Sequence, residues 1–302
     1  MSERVTVVVN PAAGRGRGSR LLPGVRAAFA AVGVTDVRLT SRAGEEREIA
    51  RRALDEGATT LVAVGGDGTW SGVANAILAS GSGARLGLLS GGTGCDFAKT
   101  VGVPSLDAAA TARLAVEGPD RRVDVGRIED RFFLNVSGFG FDTAVLEDVG
   151  RIRWLKGNAL YMYSALRQLL GYGGVEIGLA TDARERAPVR HLMLIIANAR
   201  NFGGSFRIAP QASLSDGKLD AISIHDASPL RRIQLFGAAA KGTHVEHPEV
   251  VTEQASTFRV RFAAPPAYET DGEYNRARTD EVEVSCVPGA LRVVVPEAGG
   301  AA

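Results

Sequence analysis

Leu61-Val62-Ala63-Val64-Gly65-Gly66-Asp67-Gly68-Thr69-Trp70 is the stretch on which the reading of the whole chain turns. Four apolar residues run straight into Gly-Gly-Asp-Gly-Thr, and a helical pattern follows, with Val73 and Ile77, then Ala74 and Leu78, four residues apart. An apolar run this short, without polar alternation, predicts a strand buried on both faces of a parallel sheet. Gly65, Gly66 and Gly68 carry no Cβ, so backbone N–H groups there can approach an anion closely. The helix N-terminus behind them favours phosphate. Asp67 sets a carboxylate inside that anion-binding turn, beside Thr69. An acid next to phosphates is unfavourable unless a cation such as Mg2+ lies between them. A tight turn with a solvated Asp is the plainer reading, but two adjacent glycines followed by Asp-Gly-Thr are more than a turn requires.

The bulk numbers bound what this loop can belong to. At 302 residues the chain exceeds what one hydrophobic core usually serves, so two domains are expected. With 45% hydrophobic and 23% charged residues the composition is that of a globular protein. A net charge of +1 provides no basic field for nucleic acid. No apolar run is long enough to span a membrane, and the strand pattern from Val5 leaves no room for a signal peptide. Cys95 and Cys286, far apart in sequence, form no metal or redox motif. The expected setting is cytoplasmic.

Working outward, Val5–Val9 reads as a second buried strand, ending in a loop from Asn10 and Pro11 through Gly14 to Gly18. Pro11 stops the ladder, the glycines permit close approach, and Arg15 and Arg17 offer positive charge. Residues 19–32 read as a helix, Val34–Thr40 as a strand, and 44–56 as an amphipathic helix. Leu86–Leu89 leads into Ser90-Gly91-Gly92-Thr93-Gly94-Cys95-Asp96-Phe97-Ala98-Lys99, a second glycine-rich turn that opens a helix. Strand, polar loop and helix thus repeat as in a Rossmann-like parallel α/β domain, over residues 1–120, with ligands at the carboxyl ends of the strands. Two such loops on neighbouring strands would hold one polyphosphate from two sides, with Asp67 and Asp96 near the metal.

Glu117-Gly118-Pro119-Asp120-Arg121 breaks the pattern, and a β-rich domain is expected over 121–296, followed by a small polar tail at 297–302. Residues 121–137 read as two short strands around Glu129-Asp130. Residues 153–172 are an amphipathic helix with Trp154, Leu166, Leu169 and Leu170, preceded by Arg151, Arg153 and Lys156. Such a helix either packs on the second domain or rests on an anionic membrane. His191–Ala197 reads as a dense apolar strand. His244 and His247, with no third ligand nearby, do not make a zinc site. Strand-like segments near 281–287 and 290–295 close the second domain.

These motifs together resemble the diacylglycerol kinase catalytic-domain family, which includes bacterial lipid kinases and the sphingosine and ceramide kinases. The resemblance rests on Asn10-Pro11…Gly14, Gly65–Thr69 and Gly92–Ala98. It continues through Val123–Gly126, Phe133–Asp142, Ser215–Asp220 and Asp271-Gly272-Glu273, nearly the whole chain in order. The first of the Gly-Asp-Gly loops is shared with NAD kinases; the later motifs are those of lipid kinases. Ser90 stands where the family carries Pro and Cys95 where it carries Asn, so this turn lacks a fixed φ and Asp96 lacks an orienting amide. The resemblance implies a C-terminal β-sandwich and a nucleotide site of Asn10, Pro11, Gly14, Thr40, Gly65, Gly66, Asp67, Gly68, Thr69, Gly92, Thr93 and Asp96. It also implies a structural Mg2+ on the Asp216 side chain and backbone oxygens of Ser213 and Lys218, where an ordinary Asp-Gly turn is the alternative.

Phosphoryl transfer needs alignment, charge neutralisation and removal of the acceptor proton. The family places the base at Glu273, with Asp271 orienting the hydroxyl or the metal. The closeness of the two carboxylates is expected to raise one pKa and favour a base. The sequence therefore reads as an ATP- and Mg2+-dependent kinase for a neutral lipid such as diacylglycerol, with peripheral contact at the inner membrane face and a homodimer compatible with it. A soluble kinase of NAD or another polyol, and a nucleotide-binding regulator without catalysis, are the alternatives.

Overall fold

The computed structural model describes residues 4–92, 94–103, 107–152, 157–204 and 206–296. It divides into two compact units, Met1–Val125 with Pro288–Ala302, and Gly126–Val287.

The first unit is the parallel α/β domain. Its strands lie in the order Val37–Leu39, Val5–Val9, Thr60–Gly65 and Arg85–Ser90, all parallel. The central strands are buried along their whole length because helices cover both faces. Val7, Val9, Val62, Val64 and Leu89 share one cluster with Val25 and Phe29 of the Ala13–Ala31 helix and Ala112 of the Ala108–Glu117 helix. Alternation turns Val8, Leu61 and Ala63 to the other face, the side of the Glu45–Asp55 and Asp67–Ser80 helices. Trp70 is fully buried, and its indole N–H donates to the Ala63 carbonyl at 3.1 Å.

A fifth strand of this sheet comes from the far end of the chain. Residues 281–294 form one strand, Glu281–Val294, in which Arg292 and Val293 pair in parallel with Arg85 and Leu86. The expectation that the segment near 290–295 closes the second domain is therefore corrected. The cause is local chemistry around Pro288-Gly289. Gly289 takes a left-handed φ of 56° and donates its N–H to Asp124 Oδ1 at 2.7 Å. Arg292 then forks onto Asp120 through two bonds of 2.9 and 2.7 Å.

The second unit is the β-rich one. Antiparallel strands run in the order Glu273–Arg276, Ala267–Thr270, Val136–Gly140, Glu185–Ala197, Val175–Ala180 and Thr257–Arg261, with Glu281–Val287 beyond. Leu219–His225 also pairs with Glu185–Ala197 and carries Val250–Ala255 on its other edge. The dense apolar segment at 191–197 is explained by burial on both faces. Leu194 and Ile196 join Phe139, Phe258 and Tyr268 in one core. Ile195 and Ala197 join Phe141, Leu169 and Leu235 in another, under the Phe141–Arg151, Gly157–Gly171 and Pro229–Lys241 helices. Glu129 sits at φ 50°, turning Asp120–Ile128 back into Arg131–Phe133 as expected. Trp154, Arg153 and Lys156 lie outside the described residues, and no helix among those described is long and apolar enough to cross a membrane.

Candidate active site

In the first unit three loops meet at the carboxyl ends of adjacent strands. Gly65 pairs with Ser90, so the two glycine turns leave the sheet side by side. The Gly65 carbonyl accepts from the N–H of both Gly91 and Gly92, at 2.7 and 3.0 Å. A Cβ on Gly92 would lie 2.5 Å from the Gly66 Cα. The first loop closes the set: Gly14, Arg15 and Gly16 are all left-handed, and a Cβ on Gly14 would lie 2.2 Å from the Gly91 carbonyl oxygen. Gly66, at the N-cap of the helix starting at Asp67, provides no side-chain cap.

The polar side chains tie the loops together. Asn10 donates from Nδ2 to Thr69 Oγ1 at 3.1 Å and accepts the Ala12 N–H at 3.0 Å through Oδ1. Pro11 follows at the strand end, and Thr40, buried, donates its N–H to the Val9 carbonyl at 2.9 Å. Asp67 Oδ1 accepts the Phe97 N–H at 3.0 Å, so one loop's acid holds the other loop's backbone. Burial pushes the Asp67 carboxyl up and the Asp96 charge pushes it further, against the Phe97 hydrogen bond. Asp96 is buried and bonds to Lys99 Nζ at 2.9 Å. Gly68 is exposed at the mouth of the turn, and Thr93 lies outside the described residues.

The departures at Ser90 and Cys95 meet each other. The Cys95 side chain hydrogen-bonds Ser90, and burial raises its thiol pKa. Cys95 sits at φ 54°. Asn enters that left-handed region more readily than other side chains, which accounts physically for an Asn at this position in the family.

A partly buried acid with a like charge beside it, as Asp67 has in Asp96, fits a cation. Its raised pKa also fixes a sign. The folded state binds the proton more tightly than the unfolded chain, so stability falls as pH rises through the window between the ordinary aspartate value and the raised one. Asp67→Asn is therefore expected to melt at or above the wild-type temperature in EDTA at neutral pH. It should lose that advantage at acid pH, and a lower melt at neutral pH would contradict the reading.

In the second unit Asp271 and Glu273 separate in role. Asp271 is buried at φ 49°, and its carboxylate accepts three backbone N–H groups: Leu134 at 2.8 Å on Oδ2, and Asn135 at 2.8 Å and Val136 at 3.2 Å on Oδ1. Its geometry is that of an anchor joining the turn after the Ala267–Thr270 strand to the start of the Val136–Gly140 strand. Glu273, by contrast, has a carboxylate that is 40% exposed and pairs with Arg131 at 3.3 Å. Arg131, missed in the sequence, is six residues before Ser137 and gives no local signal there.

Beneath the helices of the same unit lies an apolar cavity of about 70 Å3, lined by Phe141, Leu169, Leu192, Phe206 and Leu235, with Asp142 in its wall. Above it, Leu166 and Leu170 of one helix and Leu230 and Ile233 of the next are exposed, 44 to 69%. Arg232 locks the two helices by donating to the Leu169 and Tyr172 carbonyls.

The Ser213–Lys218 turn is closed by its own bonds. Asp216 accepts the Lys218 N–H at 3.1 Å and Gln254 Nε2 at 3.1 Å, and Ser213 Oγ accepts the Ser215 N–H at 3.4 Å. No group of three or more His, Cys, Asp or Glu among the described residues gathers to hold a metal. His244 is buried, with Nε2 on the Ile208 carbonyl at 2.9 Å.

Comparison with known proteins agrees with these motifs. Residues 4–128 match the diacylglycerol kinase catalytic domain, and residues 135–295 match the YegS C-terminal NAD kinase beta sandwich-like domain. A diacylglycerol kinase of Mycobacterium tuberculosis strain H37Rv is 32% identical over 303 residues, covering 98% of this chain and 96% of that one. A diacylglycerol kinase of Bacillus subtilis strain 168 is 26% identical over 275 residues, covering 90% of each. A solved diacylglycerol kinase from Bacillus anthracis strain Sterne superposes with a TM-score of 0.73 at 19% identity, over 98% of both chains. An NAD kinase from Archaeoglobus fulgidus in complex with ATP does so at 0.54, with 13% identity over 97% of this chain and 94% of its own. The chain belongs to the diacylglycerol kinase catalytic-domain family. It is a kinase with an N-terminal α/β domain and a C-terminal β-sandwich-like domain.

Proposed function

We propose that this kinase transfers the γ-phosphoryl group of ATP to a hydroxyl of a neutral lipid, with diacylglycerol the acceptor. The observation that carries the lipid reading is the apolar cavity in the unit that also holds Asp271 and Glu273. A polar acceptor has no use for such walls. At about 70 Å3 the cavity takes only a few methylene groups, so a full acyl chain enters as the overlying helices part.

In this reading Asn10, Pro11, Gly14, Thr40, Gly65, Gly66, Gly68, Thr69, Gly92 and Thr93 line the nucleotide, and backbone N–H groups of the glycine turns cradle its phosphates. Asp67 and Asp96 hold the metal, the raised Asp67 carboxyl being the feature that a cation relieves. Mg2+ there would neutralise charge developing on the phosphate oxygens. The Asp216 turn, with Ser213 and Lys218, is assigned the second, structural Mg2+, although its carboxylate is already satisfied within the protein. Glu273 takes the proton from the acceptor hydroxyl, and Arg131 keeps its carboxylate aimed. Asp271 positions the turn and does not touch the reacting atoms.

The test is transfer of label from ATP into a mixed lipid extract, with NAD and other water-soluble alcohols assayed beside it. Label in the organic phase that vanishes in Glu273→Gln supports the lipid kinase. Label confined to aqueous acceptors would favour the NAD-kinase-like reading, to which the Archaeoglobus fold likeness lends some support. Bound ATP without transfer would leave a regulator.

Such a lipid is reached at a bilayer surface, and the exposed Leu166, Leu170, Leu230 and Ile233 are where this chain would rest. Leu166→Glu combined with Leu230→Glu is expected to weaken binding to phosphatidylglycerol vesicles by about tenfold or more, from lost apolar burial and charge repulsion. Phosphorylation of a short-chain, water-soluble diacylglycerol should not change. Unaltered vesicle binding would remove this face from the proposal.

A further inference from the structure

Gly138 and Glu269 stand opposite each other where the Val136–Gly140 and Ala267–Thr270 strands pair. Two carboxyl groups occupy the space that the missing Gly138 side chain leaves. A Cβ on Gly138 would lie 1.7 Å from Asp142 Oδ2 and 3.0 Å from Glu269 Oε1. Asp142 comes from the first turn of the Phe141–Arg151 helix, where its Oδ1 accepts the Thr143 N–H at 2.8 Å. Glu269 is fully buried, and its Oε2 accepts the Gly272 N–H at 2.6 Å. The facing oxygens are the two left over: among the described residues neither Asp142 Oδ2 nor Glu269 Oε1 has a hydrogen-bond partner.

Two buried carboxylates facing each other with both charges intact would meet desolvation and repulsion together. Arg232 lines the same cavity as Asp142, but its guanidinium is committed to Asp226 and to the carbonyls of Ala227, Leu169 and Tyr172. Asp271, the other charge facing Glu269, has the same sign. A single proton repairs both defects. On either oxygen it turns one acceptor into a donor, removes one charge and satisfies both orphan atoms in one bond.

We propose that Asp142 and Glu269 share one proton in an O–H···O hydrogen bond, and that the pair positions the Asp271–Glu273 turn by holding the Gly272 N–H. Asp142 and Glu269 are thus positioning residues for Glu273, an assignment that rests on the kinase reading above. Burial pushes the Asp142 carboxyl up to about 7. Burial raises Glu269 as well, followed by the charge of Asp142 and, more weakly, of Asp271, while the Gly272 N–H pulls the other way. The turn needs such a clamp because Asp271 at φ 49° and Gly272 at φ 87° are both left-handed, and the Asp271 conformation is unfavourable for a residue with a Cβ. Loss of the proton would drive Glu269 from its place over Gly138 and release Gly272.

Glu269→Gln keeps both hydrogen bonds without a shared proton: its amide donates to Asp142 and its carbonyl accepts from Gly272. Asp142→Asn does the same from the other side. Glu269→Gln is expected to keep kcat on diacylglycerol within about threefold, whereas Glu269→Ala should lower it about tenfold or more with KM for ATP little changed. In the infrared spectrum, the wild type should show a protonated-carboxyl C=O band that both amide variants lose. Glu269→Gln as slow as Glu269→Ala would overturn the proposal, as would a wild-type spectrum lacking the band. If the wild type phosphorylates no lipid, the functional reading fails, and the infrared band still tests the pair. If Glu269→Ala does not fold, the two amide variants and the spectrum decide.

Discussion

Glu273→Gln is expected to lower phosphoryl transfer to lipid by about 10^2 to 10^4-fold, the range a general base ordinarily contributes. ATP affinity, read by calorimetry, should stay as it is, because the proposed function puts the residue on the acceptor side of the reaction. The structure explains why the expectation falls on Glu273 alone. Its carboxylate is 40% exposed, so it can reach an incoming hydroxyl. Asp271 spends its carboxylate on three backbone N–H groups. Asp271→Asn would set an amide donor against one of those N–H groups, costing about 3 kcal/mol or more in a buried site. It should therefore show first as a lowered melting temperature. Full turnover by Glu273→Gln would remove it as the base, and a fully stable Asp271→Asn would remove the anchor.

Gly92→Ala is the second change expected to have a large effect, through geometry. A Cβ at residue 92 meets the Gly66 Cα at 2.5 Å and the Gly66 nitrogen at 3.1 Å. Both obstacles are backbone, so no rotamer change relieves them and the two loops must part. Overpacking of this kind costs about 1–3 kcal/mol or more. The larger effect is on ligand, since the N–H groups that would cradle phosphate belong to these loops. ATP binding by calorimetry is expected to fall below detection while circular dichroism keeps the α/β signature. Gly16→Ala makes a fair contrast: nothing lies within 4 Å of its Cβ, and only its φ of 84° is unfavourable. Equal ATP affinity in Gly92→Ala and wild type would show that the loop contact has no part in the nucleotide site.

The parts of this fold that could be read beforehand are those written in consecutive residues. Thr60–Gly65 and Arg85–Ser90 are strands because their apolar runs are unbroken, and their neighbouring glycine loops followed from strand–loop–helix repetition. The helix at 157–171 and the hairpin at Glu129 were legible from period and turn chemistry. The second halves of pairs were not legible. Arg131 reaches Glu273 across 142 positions, and Asp271 takes its donors from 134–136. Asp142 stood at the end of one motif and Glu269 lay outside them all, and nothing in a linear string says that Gly138 leaves room for both.

By itself, then, the sequence determined the class of domain, the anion-binding loops and the family, since each rests on short-range backbone preferences and on hydrophobic period. The tertiary structure alone decided which acid is anchor and which is exposed, where the chain's last strand goes, and which carboxyls are forced together. The physical reason is that charge and burial depend on distance through space, and residues far apart in the chain acquire that distance only when the sheets pair.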